Sequence, residues 1–152
     1  MKTTLKIFTF FFAVATLIAC AGEESEQLRQ ARTIQEAMSK SSQILDSSIK
    51  IKLNELSTEL TTLSADSLLS ADSLKMAQYK EVKTWYSSIE MLKSELSDWT
   101  NTMKKLPSTE EIANGAENPF GADMKDEDIL KAVQADQTKF EDLKSRIETE
   151  IQ

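Results

Sequence analysis

The sequence has no histidine, which removes the commonest general base, the usual serine and cysteine triads and every His-ligated metal or haem site. Its single cysteine rules out an intramolecular disulfide framework. Three glycines and two prolines leave little turn chemistry. Aromatics are 7%, and net charge is -7 with no cluster of lysine and arginine. Phosphate contacts need such a cluster, so nucleic acid is not an expected partner. What remains is rich in Leu, Glu, Lys, Ser and Ala, a composition that favours helix over strand.

The cysteine has a specific setting. Lys2 and Lys6 precede an uncharged run from Ile7 to Ile18, and Leu17-Ile18-Ala19-Cys20 closes it. A basic start, an apolar core and small residues at its end make the secretory pattern. The run is shorter than the roughly 20 residues a membrane-spanning helix needs. Leu-Ile-Ala-Cys resembles the lipobox of bacterial lipoproteins. The resemblance implies that a diacylglyceryl group joins the Cys20 thiol, that residues 1–19 are removed and that the new N-terminus is acylated. Stable anchoring takes more than one acyl chain, as that chemistry would provide. The alternative, an ordinary secretory signal, leaves an unpaired thiol in an oxidising compartment.

Residues 20–25 then form an anchor and tether. Ala21 stands where an aspartate would favour inner-membrane retention in enterobacterial-type lipoproteins. Glu23, Glu24 and Glu26 resemble the surface-export signals of Bacteroidota lipoproteins; equally, they suit a helix N-terminus, whose dipole favours acids. The expected location is the outer membrane, on its periplasmic or cell-surface face.

Residues 26–152 are expected to form one all-α domain, an antiparallel up-down-up three-helix bundle with coiled-coil packing and helices near 24–64, 72–106 and 126–152. Leu28, Ala31, Gln35, Met38, Ser42, Leu45, Ile49, Leu53, Leu56, Leu60 and Leu63 are spaced three or four apart, with only Gln35 and Ser42 polar. The repeated fours at Leu45, Ile49 and Leu53 are a local stutter. Ser64-Ala65-Asp66-Ser67-Leu68 is echoed by Ser70-Ala71-Asp72-Ser73-Leu74, and reads as a turn with Ser70, Asp72 or Ser73 as N-cap; one uninterrupted helix is the alternative.

The second helix repeats 3-4-3-4 through Val82, Trp85, Ile89, Leu92, Leu96, Trp99, Met103 and Leu106, until Pro107 stops it. Ser108 to Glu111 is a capping-box pattern, with a short helical turn expected to end at Asn114-Gly115. Asp123, Asp126, Glu127 and Asp128 tempt a calcium reading. They lack the glycine and the distal glutamate of an EF-hand loop, so they are read as helix N-terminal acids and no metal or cofactor is expected. The third seam is Leu130, Val133, Gln137, Phe140, Leu143 or Lys144, Ile147 and Ile151.

Short connections place Trp85 opposite Leu53, Leu92 opposite Leu45 and Trp99 opposite Met38, with Ile147, Phe140 and Val133 joining those layers in turn. The segment Ser39 to Gln43 then faces Leu96 and Trp99, where small residues accommodate an indole or leave a groove. Such a groove would make Trp99 and Ser42 candidate binding residues for a small ligand or peptide. The connection through Phe120 is expected at the anchored end, and the Ser-Ala-Asp-Ser-Leu turn and Gln152 at the far tip.

The chain is also similar to short helical lipoproteins of Bacteroidota, some carrying the label "viral A-type inclusion protein". The likeness rests on Glu36-Ala37-Met38-Ser39-Lys40-Ser41-Ser42-Gln43-Ile44 and on Asp98-Trp99. Ile34 and Gln35 stand where that group often has His-Asp, and no enzymatic activity comes with the resemblance. Ser47-Ser48-Ile49-Lys50 matches S-x-x-K, but the companion motifs of the penicillin-binding enzymes are missing. The expectation is a non-catalytic envelope lipoprotein, structural or protein-binding, held to the membrane through Cys20 and meeting an envelope protein partner. Self-association into an oligomer is compatible with it.

Overall fold

The computed structural model describes residues 24–66 and 72–152; the expectations for Cys20 and for Ser70 as a cap fall outside them. Helices and loops account for every described residue, in the order α1 Glu26–Ala65, α2 Ser73–Thr102, α3 Thr109–Ala113 and α4 Asp126–Glu150. The three long helices pack against one another as a bundle.

Helix α1 starts where Ser25 accepts from the Leu28 N–H at 3.2 Å, two residues later than the acidic tether suggested. Its 40 residues span about 60 Å at 1.5 Å per residue. From Ala31 to Leu56 every expected seam position is buried, Gln35 and Ser42 included. At Asp66 the backbone turns extended. Asp72 then caps α2 by accepting from the Leu74 and Lys75 N–H groups. The chain therefore breaks here instead of continuing as one helix. Lys75 pairs with Asp66 across the break, and that hydrogen bond raises the pKa of its ammonium.

Helix α2 departs from expectation at its other end. It stops at Thr102, not at Pro107, and Met103 is already extended. Thr102 turns its hydroxyl back onto the Asp98 and Trp99 carbonyls, and from Met103 the chain is held extended by Gln35, which bonds the Lys104 carbonyl and the Leu106 N–H. Met103 is buried and Leu106 half-buried, so the seam spacing picked the right side chains on the wrong backbone. Helix α3 has the full capping box of Ser108 and Glu111. It closes with Gly115 at φ +89, the Gly115 N–H on the Ile112 carbonyl and the Ala116 N–H on the Glu111 carbonyl, a Schellman ending.

Helix α4 has no side-chain cap at Lys125; Asp126, Glu127 and Asp128 complement the dipole of its first turn instead. Its buried seam is Ile129, Val133, Phe140, Leu143 and Ile147. Ile129 is buried where the spacing predicts Leu130, which is half-buried, and Leu143 rather than Lys144 points inward. The register against α2 also differs from expectation. The Phe140 ring lies 4.5 Å from that of Trp99, not in the Leu92 layer, and Arg146 pairs with Glu95. Extended residues after Thr102 advance about 3.3 Å each, twice the helical rise, so α4 begins further toward the start of α1.

The same displacement shortens the bundle's far end. The Trp85 indole N–H donates at 2.7 Å to the carbonyl of Glu150, the last residue of α4. Trp85 stands twelve residues into α2, about 18 Å of helix. Gln152 is therefore not at the tip, and α1 and α2 continue past α4 as a two-helix projection. Phe140 is 1% exposed, so Phe140→Ala should cost about 3–5 kcal/mol in a urea melt. Trp99→Ala should cost less, because the indole is only half-buried.

Candidate functional site

Ser42 and Trp99, the two candidate binding residues, point to different neighbours. Ser42 is buried, and its hydroxyl donates to the Ser39 carbonyl at 2.9 Å. It lines a shallow concavity of about 330 Å³ between α1 and α2 with Gln43, Asp46, Lys50, Lys93 and Leu96. Trp99 does not line it; its indole faces Phe140 on α4. The small residues of α1 do face Leu96, as the layering required.

Ser47 and Lys50 also stay apart chemically. The Ser47 hydroxyl bonds the Gln43 carbonyl, while the Lys50 ammonium pairs with Asp46. No group of three His, Cys, Asp or Glu side chains among the described residues could hold a metal ion. Most α1 hydroxyls are likewise engaged by their own helix, with Thr33, Thr58, Thr61 and Thr62 each donating to a carbonyl four residues back. None of the described helices is long and apolar enough to cross a membrane.

The most elaborate polar arrangement lies elsewhere, where the segment after α2 docks on the start of α1. Gln35 reads as a blemish in the first seam. In the structure its amide N–H₂ donates to the Lys104 carbonyl at 2.7 Å and its carbonyl accepts from the Leu106 N–H at 2.8 Å. The side chain thus mimics a neighbouring strand and satisfies two backbone groups at once. Beside it, Arg32 donates to the Pro107 carbonyl at 2.6 Å and binds Glu24 through two nitrogens, the shorter contact being 2.6 Å. Glu24, Arg32, Gln35 and residues 104–107 form one clamp.

The adjoining cap adds charge to this end. The Ser108 backbone N–H, then its hydroxyl, and more distantly Arg32 hold the Glu111 carboxyl below its ordinary pKa. Lys104 lies over the Phe120 ring, 5.6 Å from its centroid, fastening the loop that leads to α4. The sequence held one signal for the clamp, a glutamine at a seam position; its distant partners are backbone groups and leave no trace in residue type.

Comparison with known proteins finds no matching family model, curated protein or solved structure.

Truncating the clamp's amide by Gln35→Ala should destabilise the bundle by about 1–3 kcal/mol, with faster hydrogen exchange at the Leu106 amide. Gln35→Glu should behave differently with pH. The introduced carboxyl cannot donate to the Lys104 carbonyl when ionised but can when protonated, so folding raises its pKa above the unfolded value of about 4.3. Its stabilising contribution is complete below that value and is lost as pH rises through the folded pKa. Urea melts of this variant and the wild type at acidic and neutral pH should show the gap narrowing in acid.

Proposed function

We propose that this protein is a non-catalytic, lipid-anchored helical rod of the bacterial envelope, whose far end and outer faces serve a protein partner. The observation that carries the interaction role is the two-helix projection. Beyond the point where α4 ends at Trp85, α1 and α2 lack a third helix among the described residues, and Leu60, Leu63, Met76 and Tyr79 are only half-buried there. Leu74 at the start of α2 is 80% exposed. Apolar side chains left at that height, about 60 Å of helix from the tether, suit a partner held away from the membrane.

The anchoring role rests on Leu17-Ile18-Ala19-Cys20 and the short tether to Ser25, with outer-membrane attachment through acylated Cys20 as its consequence. The absence of histidine and the separate engagement of Ser47 and Lys50 favour a binding role over catalysis.

Mass measurement of the membrane-extracted protein should find Cys20 at the N-terminus carrying fatty acyl chains, and Cys20→Ser should release the chain from the membrane fraction. A wild-type chain that stays in the soluble fraction with a free thiol overturns the anchor. For the partner, Leu74→Glu leaves the buried seam untouched and should reduce what co-purifies with the intact lipidated protein. Unchanged recovery of every partner, from this variant and from a chain lacking residues 65–73, argues against the projection as the docking end.

A further inference from the structure

The connection from α2 to α4 carries two large apolar side chains in solvent, Ile112 at 50% and Met124 at 40% exposure. Neither is needed to close a helix end. The Schellman ending of α3 uses backbone groups, and Met124 sits on a tight turn, its N–H on the Gly121 carbonyl. Phe120 is half-buried against the core under Lys104, so the loop is fastened down with these two side chains left outward.

Their position matters more than their number. Arg32 joins Glu24 to the Pro107 carbonyl, and the same guanidinium is close enough to Glu111 to lower its pKa. The first part of the connection therefore lies beside Glu24, and Lys104 over the Phe120 ring holds its second part to the same end. Cys20 precedes Glu24 by four residues, and four fully extended residues reach at most about 14 Å.

We propose that Ile112 and Met124 form a bilayer-contact surface, entering the headgroup region of the membrane to which Cys20 is attached; this rests on reading Cys20 as an acylated anchor. The short tether makes the second contact intramolecular, so two side chains suffice where a free protein would need many. Lys104, Lys105 and Lys125 are exposed in the same connection, with stems able to lie along an apolar boundary while their ammonium groups stay hydrated. Glu110, Glu117 and Asp123 share the loop and would repel anionic headgroups, so the surface fits zwitterionic lipid and binds through apolar burial with little salt dependence. With two points of attachment the rod stands at a set angle instead of swivelling on its tether.

The test couples the chain from Cys20 onward, through its one thiol, to a maleimide-headgroup lipid in phosphatidylcholine vesicles at low surface density, and follows hydrogen exchange by mass spectrometry. Amides of residues 110–125 should exchange about tenfold more slowly than in the uncoupled protein, while those at the start of α2 are unchanged. The double variant Ile112→Glu with Met124→Glu should melt like the wild type, since both side chains are exposed, yet lose that protection. Equal exchange on and off the vesicle overturns the proposal, as does equal protection in the double variant. Protection that appears only at high surface density assigns the surface to a second copy and also overturns it. Because the coupling is chemical, these outcomes stand apart from whether cells acylate Cys20, which the mass measurement decides.

Discussion

One apolar strip sets the terms for the whole molecule: the face of α1 from Ala31 to Leu56, which water would otherwise cover. A 40-residue helix cannot keep such a face dry by itself, and neither of its long neighbours matches its length. Helix α2 stops short at one end and α4 at the other, so each end of α1 is completed differently. Near the start of α1 an extended segment takes over from α2, and at the other end nothing replaces α4 among the described residues. Burial of this strip dominates the energetics, while the surface ion pairs Lys131–Glu127 and Lys139–Asp136 are exposed pairs of the kind that add little.

An extended segment packed on a helix has backbone groups without a ladder to join, and these are costly to bury unpaired. Gln35 answers that need because a primary amide offers a donor and an acceptor at the spacing of a peptide. Arg32 does the same for the Pro107 carbonyl while its other nitrogens hold Glu24. No buried polar side-chain atom among the described residues is left without a partner. The interior is thus specified at its two polar places, Gln35 and Ser42, as firmly as along its leucines.

The bundle was legible in the sequence because heptad spacing reports directly on which side chains face a neighbour, and the seams of α1 and α2 were readable almost residue by residue. Caps were legible too, Ser108 with Glu111 fully and Asp72 as one of three candidates with Ser70 and Ser73, since a hydroxyl or carboxylate at a helix start acts locally. Illegible were the consequences of distance. The extended chain after α2 is held by Gln35, some seventy residues away, and the register of α4 goes with that extended segment. A period of 3.5 residues cannot distinguish a buried methionine on a helix from one on extended chain, so Met103 fitted both. Trp99 is absent from the concavity at Ser42 for the same reason: helix spacing gives the heights of the two residues, while the indole is turned toward Phe140 of α4.

The Trp85 indole ties together three remote parts of the chain. Its N–H holds the final carbonyl of α4, and the Lys52 ammonium of α1 rests 4.2 Å from its ring centre. A helix terminus ordinarily frays on its own, turn by turn. Here unwinding the last turn of α4 strips a hydrogen bond from α2 and loosens the platform beneath a cation of α1. Fraying of α4 is therefore felt by both of its neighbours through one side chain, and the projection rises from a joint that all three long helices share.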